Sequence, residues 1–304
     1  MPRIPTTLFQ QACRINKLLP LVLKGTHGDI EAAQNELRWM AQEFKTPEQL
    51  RQACLKRSRN YPLQYILGSQ PFERLDVLCQ PGVLIPRWET EEWTLKLARA
   101  LRDGKSDQGL KVLDLCTGTG CIPLLLSAFL KKSDFWAVDI SDTALSLVEK
   151  NLKHNELELR LKESENSFTI CKSDVLAENL AESLPKTVDL ITANPPYIPT
   201  YYNFDSLVER SVRLYEPKLA LIGDKEFYTA IFRHACNLNA KGLILEVGDQ
   251  DQINHTHGLA IQFNKSNPDS DNNWSCGAMH DSNGKPRIAI LWKPSWSFLE
   301  SITN

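Results

Sequence analysis

VLDLCTGTGCI, residues 112–122, joins two patterns whose junction decides the fold. Its first half is a short apolar run that reads as a buried strand. Its second half sets Gly118 and Gly120 one residue apart, and CIPLLLSAFL then follows with helical spacing. Pro123 is tolerated there because it falls in the first helical turn. Glycines at this point remove side chains where the backbone must turn and approach a ligand. The helix that follows offers its N-terminal amides to a carboxylate or phosphate. A glycine turn of this form also occurs as pure packing, so its surroundings must decide.

Toward the C-terminus the chain alternates. FWAVDI reads as a strand, and residues 141–155 as a helix with Leu145, Val148 and Leu152 on one stripe. FTICKSD and VDLITA are strands, EFYTAIFRHACNLN is a helix, and GLILEVGD, LAIQF and PRIAILWK are strands. Such alternation predicts a mostly parallel sheet with helices on both faces. LAIQF and PRIAILWK flank a polar stretch, residues 264–284, so a closing hairpin with one antiparallel strand is expected near the C-terminus. Toward the N-terminus, residues 1–65 read as helical. Asp29 caps a helix whose Leu37, Met40 and Phe44 share a face, and Thr46-Pro47-Glu48-Gln49 is a capping box with proline at the first helical position. Residues 66–90 read as a connector carrying a β-hairpin around DVLCQPGVLIP, residues 76–86. The expected division is a small helical domain (1–65), the β-hairpin connector (66–90) and an α/β, Rossmann-like domain (91–304).

Composition narrows the function. The chain has 304 residues, 42% of them hydrophobic and 24% charged, with a net charge of -2. That balance argues against broad binding to nucleic acid, which needs a basic excess to neutralise phosphates. No apolar run approaches the ~20 residues that span a bilayer. Eight scattered cysteines form no CxxC pair and read as reduced thiols. His255 and His257 lack further ligands nearby in sequence, so no metal is expected. Residues 1–28 contain Arg3, Arg14, Lys17 and Lys24 but no acid, within amphipathic spacing. That composition is shared by organelle transit peptides and by a first helix with a basic outer face.

The strand ends carry the chemistry. In parallel α/β sheets ligands sit beyond the carboxyl ends of the strands, where strand order reverses. The first strand ends in Cys116-Thr117-Gly118-Thr119-Gly120. The next ends in Asp139, placed to accept from ribose hydroxyls. The third ends in Ser173-Asp174-Val175, where Asp174 can accept from the exocyclic amine of adenine. Each acid alone is as well read as a turn cap; together they favour an adenosine site. The turn is not GxGxxG, and the GK[ST] of a P-loop is absent. DxCxGxG resembles instead the first motif of class I S-adenosylmethionine-dependent methyltransferases, with Cys116 where glycine is usual.

The fourth strand delivers Asn194-Pro195-Pro196-Tyr197. In that superfamily [DNS]-PP-[YFW] marks methylation of a nitrogen conjugated to a π system. Such a nitrogen is a poor nucleophile. Its site must hold it in line with the donor and accept hydrogen bonds from its N–H groups as charge develops. The Asn194 side-chain oxygen and the Pro195 carbonyl are candidate acceptors, Pro195 and Pro196 fix φ, and Tyr197 offers a face for a planar group. From these residues alone, an amide and a nucleobase remain equally open as acceptors.

A longer resemblance separates them. YPLQYILG, VLIPRWETEE, VLDLCTGTGCI, AVDIS, ANPPYIP, YEPKLAL and LILEVGDQ occur in that order. Together they resemble the release factor glutamine methyltransferase family, over nearly the whole chain. The resemblance implies a Rossmann-like class I methyltransferase. It implies S-adenosyl-L-methionine as cofactor, with S-adenosyl-L-homocysteine as product. The protein substrate it implies is a class I peptide-chain release factor whose GGQ glutamine lies on Asn194, Pro195, Pro196 and Tyr197. Cys116, Thr117, Gly118, Thr119, Gly120, Asp139, Asp174, Val175 and Asn194 are then the expected cofactor contacts. The expected enzyme is a monomer that contacts no nucleic acid or membrane directly. Trp88 stands where the family usually has proline, the helical domain is shorter by about one short helix, and residues 264–273 read as an insertion. The helical domain and the acid-free start fit a mitochondrial member, a bacterial cytoplasmic one being the alternative. Competing readings are a nucleic-acid adenine or cytosine N-methyltransferase and a cofactor-binding scaffold.

Overall fold

A computed structural model describes residues 4–105, 109–180, 184–200, 208–268 and 272–304. The N-terminal part is helical: α1 (Thr6–Ile15), α2 (Leu19–Val22), α3 (Ile30–Glu43), α4 (Pro47–Arg57) and α5 (Leu63–Leu67). The capping signals act as expected. The Asp29 carboxylate accepts from Ala32 N–H, and Thr46 and Gln49 form a reciprocal capping box. Leu19, Leu23, Leu37 and Met40 bury their side chains in a core that belongs to this part alone. Inside it Arg57 grips both carboxylate oxygens of Glu36, at 2.6 and 2.8 Å, and donates to the Gly25 carbonyl at 2.7 Å. A Cβ on Gly25 would lie 2.5 Å from that guanidinium, so any larger residue there would have to displace Arg57 from this position.

The connector departs from expectation. QYIL is helical within α5 and ends at Gly68 (φ +92°), the usual left-handed helix cap. The hairpin pairs β1 (Ser69–Phe72) with β2 (Leu75–Leu78), so it turns at Glu73-Arg74 and GVLIP is not a strand. Pro81 and Pro86 leave that segment without a ladder. It instead runs past the carboxyl ends of the central strands as a roof. The following helix, α6 (Trp88–Lys105), begins inside PRWET, with Glu89 and Glu91 favouring its first turn.

The main body is a seven-stranded sheet in the order β5-β4-β3-β6-β7-β9-β8. Its strands are β3 (Lys111–Leu115), β4 (Asp134–Asp139), β5 (Ser167–Lys172), β6 (Leu190–Ala193), β7 (Gly242–Glu246), β8 (Ser275–His280) and β9 (Pro286–Trp292). β3 to β7 are parallel, and β9 runs antiparallel to both of its neighbours. The helices of this part are α7 (Cys121–Ser127), α8 (Asp142–His154), the single turns α9 (Glu156–Leu159) and α10 (Leu161–Ser164), α11 (Arg210–Tyr215), α12 (Lys225–Asn237) and α13 (Gln250–Ser266). Every residue of β6 and β7 is buried, as a sheet covered on both faces demands.

Two expectations fail here. LAIQF is not a strand: it lies in α13, capped by Asp249, with Ile253, Thr256 and Ala260 buried. A five-residue apolar run does not distinguish helix from strand. The hairpin partner of β9 is SCGAMH, inside the stretch that read as polar. On α8 the buried stripe is Ala144, Leu147, Val148 and Asn151, rotated from the expected one. Asn151 and Asn155 explain the rotation, because they accept from Leu78 N–H at 2.6 Å and Asp76 N–H at 2.9 Å. These bonds fasten the hairpin to α8.

Candidate active site

The chain adds β4 and β5 on one side of β3, then crosses to add β6 and β7 on the other. Strand order therefore reverses between β3 and β6, and a cleft opens beyond their carboxyl ends. The register aligns Leu115 with Ala193, so the glycine turn and Asn194 leave the sheet side by side. A cavity of about 320 Å³ fills this cleft.

Cys116, Thr117, Gly118, Thr119, Asp139, Asp174, Val175, Asn194 and Pro196 all line it. Gly120, Pro195 and Tyr197 do not. A Cβ on Gly120 would come within 3.1 Å of Val148, so this glycine serves the packing of the turn on α8. Tyr197 instead faces a smaller cavity of about 110 Å³ that shares Leu84, Arg87 and Ala220 with the larger one.

The wall beyond β3, β4 and β5 is built locally. Asp139 accepts from Gly118 N–H and Ser141 N–H, each at 2.9 Å, which fixes the glycine turn against the end of β4. Burial raises the Asp139 carboxyl, and those backbone donors oppose the rise. Below the turn Asp114 is fully buried and accepts from the Thr192 hydroxyl at 2.6 Å. Burial pushes its carboxyl up to about 7. Burial, then Asp139, Asp114 and Asp174, push the Cys116 thiol well above its ordinary value, so it stays neutral at physiological pH. Of these acids Asp139 and Asp174 line the cavity, and their carboxylates suit this end to hydrogen-bond donors and to a cationic ligand.

The opposite wall is assembled from distant segments. Gly82 to Arg87 form one part of the roof, and Pro217, Leu219 and Ala220 form another. Glu216, itself 6% exposed, joins them: it accepts from Ile85 N–H at 3.1 Å and from Arg87 Nη2 at 2.7 Å. Tyr65 donates to the Val83 carbonyl at 2.6 Å, and Tyr215 donates to the Arg59 carbonyl at 3.1 Å. The helical part is thereby tied to the roof. Ile198 bridges the Leu221–Gly223 segment, and a Cβ on Gly223 would lie 2.6 Å from the Pro196 carbonyl.

At the centre, Asn194 Nδ2 donates to Thr90 Oγ1 at 3.3 Å. Thr90 donates to Glu246 Oε2 at 2.7 Å, and Trp93 Nε1 donates to the same oxygen at 2.8 Å. Asn194 Oδ1 is buried and has no partner in the protein. A buried acceptor left open beside a cavity is a place for a ligand's N–H. Tyr197 is packed against Gly248, and burial raises its phenol, which stays neutral.

Sequence reasoning did not single out Thr90, Arg87, Glu216, Leu219 or Phe227. Thr90, Arg87 and Glu216 were marked only as parts of PRWETEE and YEPKLAL, because their partners lie more than a hundred positions away; Phe227 lies in neither segment. Among the described residues, no group of three or more His, Cys, Asp or Glu is placed to hold a metal, and no helix is long and apolar enough to cross a membrane.

A family model described as the methyltransferase small domain matches residues 94–220. The chain is 37% identical, over 296 residues, to the mitochondrial MRF1 N(5)-glutamine methyltransferase MTQ1 of Saccharomyces cerevisiae; the match covers 96% of this chain and 90% of that one. It is also 37% identical to the probable mitochondrial MRF1 N(5)-glutamine methyltransferase of Schizosaccharomyces pombe, covering 86% and 88%. It is 33% identical to a release factor glutamine methyltransferase of Bifidobacterium longum, covering 71% and 76%. Among solved structures, the catalytic domain of human Mettl16 in complex with an RNA hairpin shares the fold at a TM-score of 0.52 and 17% identity, over 79% of this chain and 81% of that one.

Proposed function

The chain belongs to the release factor glutamine methyltransferase family, and from that premise we propose that it methylates N5 of the GGQ glutamine in a class I peptide-chain release factor. The cofactor we assign is S-adenosyl-L-methionine, which supplies an electrophilic methyl group on a sulfonium. The compartment we assign is the mitochondrion, in keeping with the yeast relatives named as mitochondrial. We take the enzyme to act as a monomer on protein, without direct contact to nucleic acid.

The residues present fit that cofactor. Asp139 lines the cavity, and the lone pairs its backbone donors leave open are suited to ribose hydroxyls. Asp174 and Val175 stand at the rim for the adenine, and the carboxylates around Cys116 suit a cation. One observation carries the choice of reaction: the unpartnered, buried Asn194 Oδ1 at the cavity wall. A primary amide nitrogen has two N–H groups and a lone pair delocalised into its carbonyl. Asn194 Oδ1 would accept one N–H at the cavity wall; the Pro195 carbonyl, which does not line the cavity, could accept the other only once the substrate amide reached past Asn194. Were the methyl to pass to the nitrogen, its bond to sulfur would break and leave neutral S-adenosyl-L-homocysteine; the nitrogen would become cationic, both hydrogen bonds would strengthen, and one N–H proton would then be lost to water. Pro195 and Pro196 hold these acceptors without further ordering. The helical part, through Tyr65 and Tyr215, sets the roof against which the release factor docks.

The test is to offer labelled S-adenosylmethionine with a mitochondrial class I release factor, and separately with DNA and RNA. Label is expected in the release factor alone; label in nucleic acid alone contradicts the proposal.

A further inference from the structure

We propose that Glu246 and Thr90 are positioning residues for this transfer: together they fix which face of the Asn194 amide meets the substrate. The inference rests on the glutamine-amide reading above. Parallel pairing of Ala193 with Leu245 places Asn194 and Glu246 one step beyond, at the ends of adjacent strands. Between them stands Thr90, from the first turn of α6.

A hydroxyl has one proton to give. Thr90 gives it to Glu246 at 2.7 Å, so toward Asn194 it can only accept. Asn194 must therefore turn its NH2 group to Thr90, leaving Oδ1 as the open acceptor. Without the carboxylate, the hydroxyl is free to donate to Asn194 Oδ1. The amide then flips and presents NH2 to the substrate's own N–H, a donor facing a donor. Trp93 holds the carboxylate in place from the other side. The chain Glu246–Thr90–Asn194 also polarises the amide, which makes Oδ1 the better acceptor as the substrate nitrogen becomes positive.

The cost of this arrangement is visible. Glu246 is completely buried and its Oε1 has no partner. Packing alone favours an apolar side chain at such a position. A buried carboxylate makes sense where it dictates the direction of a hydrogen-bond chain.

The test compares Thr90→Val, which keeps the shape and removes the hydroxyl, with Thr90→Ser, which keeps the hydroxyl, and with Glu246→Gln. With release factor as substrate, kcat of Thr90→Val is expected to fall about ten-fold or more. Thr90→Ser should stay within about three-fold, Glu246→Gln should fall between them, and S-adenosylhomocysteine affinity should hold within about two-fold in all three. The side-chain amide protons of Asn194 should exchange slowly in the wild-type enzyme by NMR, and quickly in Thr90→Val. A Thr90→Val enzyme within two-fold of wild type, a Thr90→Ser enzyme as damaged as Thr90→Val, or fast Asn194 exchange in the wild type would each overturn the inference. If Thr90→Val does not fold, Glu246→Gln and the wild-type exchange decide. Protected Asn194 protons in an enzyme that leaves glutamine unmethylated would sink the functional reading and leave the orientation standing.

Discussion

The two walls of the cleft are built by different means. The cofactor wall uses short-range parts: a glycine turn, the acid ending the next strand, and backbone donors two and twenty-one positions from it. The acceptor wall uses side chains drawn from across the chain. Glu216 reaches back to Ile85 and Arg87, Thr90 reaches forward to Glu246, and Asn194 turns to Thr90. On the proposed function, the locally built wall takes the cofactor and the wall built by long-range contacts sets the acceptor geometry.

Substitutions should separate the walls. The largest effect is expected from Asn194→Ala, which removes an acceptor used as charge develops: kcat should fall on the order of 10²–10³-fold, with cofactor affinity nearly unchanged in calorimetry. If cofactor affinity collapsed instead, Asn194 would belong to the cofactor wall. Asp139→Ala should do the reverse, weakening S-adenosylhomocysteine binding roughly ten-fold or more while kcat at saturation changes little. Glu216→Ala acts on the roof. It leaves Arg87 without its partner and Ile85 N–H without an acceptor, so a loss of about 2 kcal/mol is expected, seen as a melting point lower by several degrees. An unchanged melting point would mean the roof is held by something other than this carboxylate.

The last comparison is a pH dependence of the ligand-free fold. Burial holds the Asp114 carboxyl near 7, above its ordinary 3.8, so the folded enzyme binds that proton more tightly than the unfolded chain. The contribution to stability is full below about pH 4 and is lost as pH rises toward 7. Relative to Asp114→Asn, which is neutral throughout, the ligand-free wild type should lose stability between pH 4 and 7 in chemical denaturation. A constant difference across that range would show that Asp114 does not carry this shift.

The same division explains what could be read in advance. The sheet, its helices, the glycine turn and the strand-end acids follow from periodicity and from residues close in sequence. Cys116, Asp139 and Asp174 fall at the cleft for that reason. LAIQF was misread because five apolar residues carry no period, and the hairpin because GVLIP has strand-type residues but prolines on either side. Gly120 and Tyr197 have the residue types of a site, yet one packs against Val148 and the other faces the smaller cavity. Thr90 and Glu216 have no local signature at all. Their partners are chosen by the fold, and only the order of family segments marked their surroundings.

The central claim is that this cleft delivers a methyl group to an amide nitrogen. Fragmentation mass spectrometry of the GGQ peptide, from a release factor incubated with the enzyme and S-adenosylmethionine, tests it most directly. One added methyl on the glutamine side-chain nitrogen, absent with Asn194→Ala, is the predicted result. A methyl on another residue, or none on this glutamine with an enzyme that binds cofactor, would contradict it.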